Sequence, residues 1–219
     1  MRWRWYGHAC FHIEFEGGLT IVTDPFGPEV GYRTALPAAQ LVTVSHEHFD
    51  HNCVQAVQGK PQVWRGGQAS EQTRDIQGVR IREVNLAHDA LGGQRRGPNT
   101  AFVFAVGALT AVHLGDLGHE MTDAQAESIG PCGVVFLPVG GHYTIGPEVA
   151  VQVVERLQPN IVVPMHYRTP AIADWPLVGV EEFLALIDAP VRRLGTEAST
   201  RAGSLPEERE VWVMEPVEG

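Results

Sequence analysis

The segment Ser45-His46-Glu47-His48-Phe49-Asp50-His51 constrains this chain more than any other. It directly follows Leu41-Val42-Thr43-Val44, a short apolar run of strand length. Three imidazoles and a carboxylate crowded onto one strand end form a ligand set for Zn²⁺ or another divalent transition metal. His46 and His48, two apart, point the same way along an extended chain and can grip one ion. Asp50 and His51 follow on the turn and can face a second. A solvated polar loop is the other reading, but an HxHxDH arrangement arises by accident only roughly once in a thousand shuffled sequences. A ligand set of this kind needs a rigid scaffold, so the strand must belong to a sheet whose edge collects further groups.

Three more candidates sit just past predicted strands. His88 follows Glu83 to Ala87, Asp116 follows Leu109 to Val112, and His166 follows Val162 to Met165. The first half of the chain reads as β hairpins: Cys10 to Phe15 with Leu19 to Val22, and Ala101 to Ala105 with Leu109 to His113. Phe11, Ile13 and Phe15 face one way there, and Cys10, His12 and Glu14 the other. Further strands are predicted at Gln62 to Trp64 and Val79 to Val84. The second half alternates: strand at Val134 to Leu137, helix at Pro147 to Leu157, strand at Ile161 to Val163, helix at Val180 to Ile187, strand at Glu210 to Met214. Pro147 suits a first helical turn. The expectation is an α/β fold with two packed sheets and helices outside, in one domain over 1–219 without a linker. Trp3 and Trp5 alternate on the first strand and read as packing.

Composition narrows the function classes. Lys plus Arg is 16 against 26 Asp plus Glu, a formal charge of −10. That balance repels a polyanion, so a small-molecule substrate is expected and nucleic acid is not. The longest apolar runs fall short of the about 20 residues of a membrane span. Three widely spaced cysteines form no CxxC, and the N-terminus lacks a signal-peptide core, so a cytoplasmic protein is expected. Oligomeric state is not legible.

HxHxDH, a lone His, a strand-borne Gly-Asp and a strand-borne His together resemble the metallo-β-lactamase superfamily. GHAC at 7–10, TDPF at 23–26, HLGDLGH at 113–119, LPVGGHYTIGP at 137–147 and VVPMHY at 162–167 resemble one branch of it. That branch holds L-ascorbate-6-phosphate lactonase-like and N-acyl-phosphatidylethanolamine phospholipase D-like metal-dependent hydrolases. The resemblance implies a four-layer αβ/βα sandwich of two mixed sheets. It implies a first ion on His46, His48 and His88, a second on Asp50, His51 and His166, and Asp116 between them. Asp24 would orient a ligand, His113 would stay in its strand, and Gly7-His8 would form a structural turn. Zn²⁺ fits best, with Mn²⁺ or Fe²⁺ as alternatives.

The chemistry expected of such a pair is hydrolysis, with a metal-bridged hydroxide attacking a small lactone, ester or amide. A phosphodiesterase or phospholipase-type hydrolase is the alternative, and a non-catalytic metal-binding module the third. Asp50 would help orient the water. His142 and His119 are candidates to protonate the leaving group, with Tyr143 beside them. Arg168 can fork onto a substrate anion, and Arg95-Arg96 sit in a Gly-rich stretch that can form a mobile lip.

Overall fold

The computed structural model describes residues 1–32, 35–67 and 70–217. Its strands are β1 (Arg2–Gly7), β2 (Cys10–Glu14), β3 (Thr20–Thr23), β4 (Leu41–Val44), β5 (Gln62–Arg65), β6 (Thr73–Ile76) and β7 (Val79–Ala87). These are followed by β8 (Pro98–Val106), β9 (Leu109–His113), β10 (Val134–Pro138), β11 (Ile161–Met165), β12 (Val191–Arg193), β13 (Glu197–Ser199) and β14 (Glu210–Val213). The α-helices are α1 (Asp123–Ile129), α2 (Pro147–Leu157) and α3 (Val180–Leu184).

The strands form two mixed sheets. One has six strands in the order β13-β1-β2-β3-β4-β5, the other eight in the order β12-β14-β11-β10-β9-β8-β7-β6. Period-two alternation decides which faces meet. Trp3, Phe11, Ile13 and Phe15 turn inward from the first sheet against Phe102, Phe104 and Phe136 of the second. Phe11 and Phe136 have ring centroids 4.5 Å apart, and Trp3 meets Phe136 edge-on at 5.8 Å. Offset and edge-on aromatic pairs of this kind add to the area they bury.

The parallel pairs β9-β10 and β10-β11 demand crossovers, and α1 and α2 supply them. Val153, Val154 and Leu157 of α2 join the main core. The outer face of the six-stranded sheet is built differently. Its parallel pairs β3-β4 and β4-β5 are joined through short 3₁₀ turns and loops. Phe26, Val30, Leu36 and Val57 from those loops make a second apolar cluster with Val22, Val42 and Val44. The fourth layer is therefore mostly loop, held by its own buried side chains.

Some elements differ from expectation. The helix predicted to reach Ile187 has its regular part end at Leu184, with Ile187 still donating to the Phe183 carbonyl. The strand predicted over 79–84 runs on to Ala87, which delivers His88 directly to the strand end. Helix α1 and the edge strands β6, β12 and β13 have no counterpart among the elements expected from the sequence. All three cysteines are free, and Trp3 and Trp5 are buried in the core. Among the described residues, no helix is long and apolar enough to cross a membrane.

Candidate metal centre

Strand ends from both sheets converge on one edge. β4 leads into His46 to His51, β7 into His88, β9 into Asp116, β11 into His166 and β1 into His8. The C-terminal edges of sheet strands are where α/β folds collect their ligands. The nitrogens of His46, His48 and His88 lie within 4.8 Å of one another. So do the ligand atoms of His8, Asp50, His51 and His166, and those of His46, His51 and Asp116. Asp116 joins the two groups. Its Oδ2 stands 3.2 Å from Nε2 of His51 and of His166, and 3.3 Å from Nε2 of His88.

The surroundings set which nitrogen each ring presents. Asp24 accepts from the Ser45 backbone N–H at 2.7 Å and from the Ser45 hydroxyl at 2.6 Å. With its hydrogen given to Asp24, Ser45 Oγ accepts from His46 Nδ1 at 2.9 Å. His51 Nδ1 donates to Asp24 Oδ2, also at 2.9 Å. Both rings thus hold a hydrogen on Nδ1 and turn Nε2 toward the cluster. His113 stays in β9, donating from Nε2 to the Ala9 carbonyl at 2.8 Å and accepting the Gly115 N–H.

The loops are held at van der Waals limits. A Cβ on Gly118 would lie 2.1 Å from the His88 carbonyl carbon, and one on Gly140 would lie 2.0 Å from the His166 carbonyl oxygen. Asn99 accepts the Asp116 N–H at 3.0 Å while donating to the Leu114 carbonyl, which fixes the Gly-Asp turn.

Whether these residues fit a metal is answered by their unused atoms. Nε2 of His46, His51 and His166 and Oδ1 of Asp116 are buried without a hydrogen-bond partner among the described residues. Burying such atoms unpaired is costly unless something else satisfies them. Burial, together with the positive charge on His51, holds His46 down at about 3, and burial also lowers His48. Both are unprotonated at neutral pH, with lone pairs free. His51 is held well above the usual range, because Asp116 and Asp50 outweigh its desolvation. The carboxylates call for positive charge at this point. Converging imidazole nitrogens and carboxylates form a donor set suited to divalent transition metals.

His8 does more than form a turn. It adopts a left-handed φ of 51° in that turn, and its Nε2 donates to Asp50 Oδ2 at 3.0 Å. Its carbonyl accepts from Trp5 Nε1 at 3.0 Å and from the His166 N–H at 3.2 Å. Burial holds its ring at about 4. One residue therefore couples the core to both Asp50 and His166. The sequence offered only the Gly-His pair at a strand end as a signal.

A cavity of about 640 Å³ opens over the cluster. Its lining includes His48, Asp50, His88 and Asp116 below, and Phe49, Arg96, Tyr143, Asp174 and Trp175 around the mouth. Three residues expected to act on the substrate, His119, His142 and Arg168, stand outside this lining. His119 is taken up by backbone, accepting the Ala87 N–H at Nε2 and donating from Nδ1 to the Glu120 carbonyl. His142 is exposed at a left-handed φ of 56°, its ring edge-on to Tyr143. Arg168 is exposed, and Arg96 is the arginine that lines the cavity. The stretch expected as a mobile lip is braced: the Asp89 carboxylate accepts the N–H groups of Leu91, Gly93, Arg95 and Arg96.

Two packed mixed sheets with a buried His/Asp cluster at their shared edge define the class of metallo-β-lactamase-fold proteins. A family model described as a beta-lactamase superfamily domain matches residues 2–166, and the chain belongs to that superfamily. It is 32% identical over 212 residues to a UPF0173 metal-dependent hydrolase of Pyrococcus horikoshii, covering 84% of this chain and 91% of that one. A crystal structure from Thermotoga maritima, of a candidate Zn-dependent hydrolase of the metallo-β-lactamase superfamily, superposes with a TM-score of 0.77. Its identity is 37%, over 98% of each chain. The metallo hydrolase Igni18 of Ignicoccus hospitalis shares the fold, with a TM-score of 0.67 at 23% identity over 99% and 96% of the chains.

Proposed function

We propose that this metal-dependent hydrolase works with two divalent ions, Zn²⁺ by preference, on a small lactone, ester or amide. The hydrolase part rests on the family and on its metal-dependent relatives. The observation that carries the dinuclear part is Asp116, whose single Oδ2 faces histidines of both groups at 3.2–3.3 Å. His46, His48 and His88 would hold one ion, and Asp50, His51 and His166 the other, with Asp116 shared. Divalent ions there supply Lewis acidity and a water acidic enough to ionise near neutral pH.

The chain's own residues do the rest. Asp50, fixed by His8, presents a second carboxylate oxygen for orienting a water. Tyr143 lines the cavity and offers a hydroxyl to the leaving group, the role that His119 is not placed to take. Phe49 and Trp175 give one side of the cavity an apolar lining. Reduced cysteines and the acidic surface suit a small-molecule enzyme of the cytosol.

Initial rates on lactones and on aryl phosphodiesters, with Zn²⁺ or Mn²⁺ added, test the reading. We expect lactones or simple esters to turn over and His48→Ala to abolish that rate. Turnover confined to phosphodiesters sinks the acyl reading and leaves the phosphoryl one.

A further inference from the structure

The cavity mouth carries an arginine whose guanidinium has no acidic partner among the described residues. Arg96 lies with its guanidinium 5.0 Å over the Tyr143 ring, and its one hydrogen bond, a 3.4 Å contact, goes to the His142 carbonyl. Among the described residues it forms no ion pair. By contrast, Glu47, also in the lining, is neutralised by Arg65 at 2.8 Å. A guanidinium has five N–H donors in a planar fork, and a position over an aromatic face leaves the donors not bonded to His142 open to a ligand. Such a fork suits a carboxylate or phosphate. On a chain of net charge −10, an unpaired cation at the mouth of a catalytic cavity is a specific placement.

The loop that carries the fork is also held in place. Asp89, next to His88, gathers four backbone N–H groups of the loop that carries Arg96. The attachment point of the Arg96 side chain is thereby referenced to the candidate metal cluster, which lowers the cost of ordering it around a bound anion.

A second feature of the mouth is apolar and adjoins Tyr143 from another loop. Phe49 is 54% exposed although it stands between two candidate ligands in sequence. Its ring lies 6.4 Å from Trp175, and Trp175 lies 6.0 Å from Tyr143. A large exposed aromatic beside a half-buried one gains by being covered.

We infer that the substrate is a small carboxylic ester, lactone or amide with a planar apolar body that lies against Phe49 and Trp175 and a far carboxylate or phosphate that Arg96 holds. This deepens the acyl-hydrolase reading above and rests on it. Asp174, also in the lining and unpaired among the described residues, opposes the bound anion and so supplies a control of opposite sign.

Two matched pairs test it on the Zn²⁺-loaded full chain. The first is hydrolysis of 4-acetoxybenzoate against phenyl acetate, each normalised to its hydroxide rate. The second is calorimetric binding of 4-hydroxybenzoate against phenol, which requires no turnover. Wild type is expected to favour the anionic member of each pair. Arg96→Gln and Arg96→Ala should lower that preference by about tenfold, the scale of one charge-assisted hydrogen bond. Asp174→Asn should raise it, and Arg95→Ala, on an exposed neighbour outside the lining, should leave it where it was. A preference that survives both Arg96 variants, or a wild type that favours the neutral members, overturns the inference. If no ester reacts but the calorimetric preference appears and depends on Arg96, the anion site stands and the acyl reading falls.

Discussion

At the scale of single residues, the relay from Asp24 through Ser45 decides whether His46 and His51 can act as ligands at all. Both rings keep a hydrogen on Nδ1 because an acceptor waits there. An amide in place of the carboxylate would present a donor to at least one of these groups. In Asp24→Asn, His51 would then carry its hydrogen on Nε2 and aim it at the cluster. Removing an outer partner of this kind typically weakens metal binding about 10–100-fold. Competition with a chromophoric chelator measures this directly, and unchanged affinity would contradict the tautomer argument. His8 supports a second prediction. It holds Asp50 at 3.0 Å but reaches only the second group of ligands. His8→Ala should therefore release one ion at a chelator level at which wild type keeps both. Simultaneous loss of both ions would mean that His8 acts through the fold and not through Asp50.

At the scale of elements, two neighbouring substitutions should separate positioning from stability. Gly118 touches the His88 backbone so closely that an added Cβ must displace it. Gly118→Ala should cost about 1–3 kcal/mol in urea unfolding and also weaken metal binding. Thr122 caps α1, its hydroxyl accepting the Gln125 N–H at 3.2 Å while the Gln125 side chain returns to the Thr122 N–H. Thr122→Ala should cost about 1 kcal/mol and leave metal affinity alone. That capping box, Thr-Asp-Ala-Gln, was present in the sequence as a helix signal, but the seven-residue helix behind it has too little apolar face to show periodicity. The edge strands were hidden for a related reason. Val191–Arg193 and Thr73–Ile76 carry mostly exposed side chains with no alternation, and only their sheet neighbours make them strands. The cluster was legible because its members end apolar strands, whose buried runs announce themselves. The mouth was legible only in part: Tyr143 and Arg96 were expected near the site, whereas Phe49 and Trp175 were not, and the four come from separate loops that no local pattern brings together.

At the scale of the whole molecule, two sheets bring together at one edge a set of groups that repel or strand one another without a cation. Asp24, Asp50 and Asp116 are buried there among imidazoles with unpartnered nitrogens. A metal that binds only the folded chain should therefore stabilise the entire fold by mass action, about 2.7 kcal/mol at a hundredfold excess over Kd. For a chain of this length that is a melting shift of roughly 5–10 °C. Chelator-treated protein should melt that much below the Zn²⁺-loaded form. In His48→Ala, which removes a candidate ligand, the gap should narrow. Phe104→Ala supplies the contrast, since it empties core space at the far end of β8 from Asn99. It should cost about 3–5 kcal/mol with and without metal alike, because distant sites add independently. A melting gap that vanished in Phe104→Ala but persisted in His48→Ala would place the stabilising ion somewhere other than this strand edge.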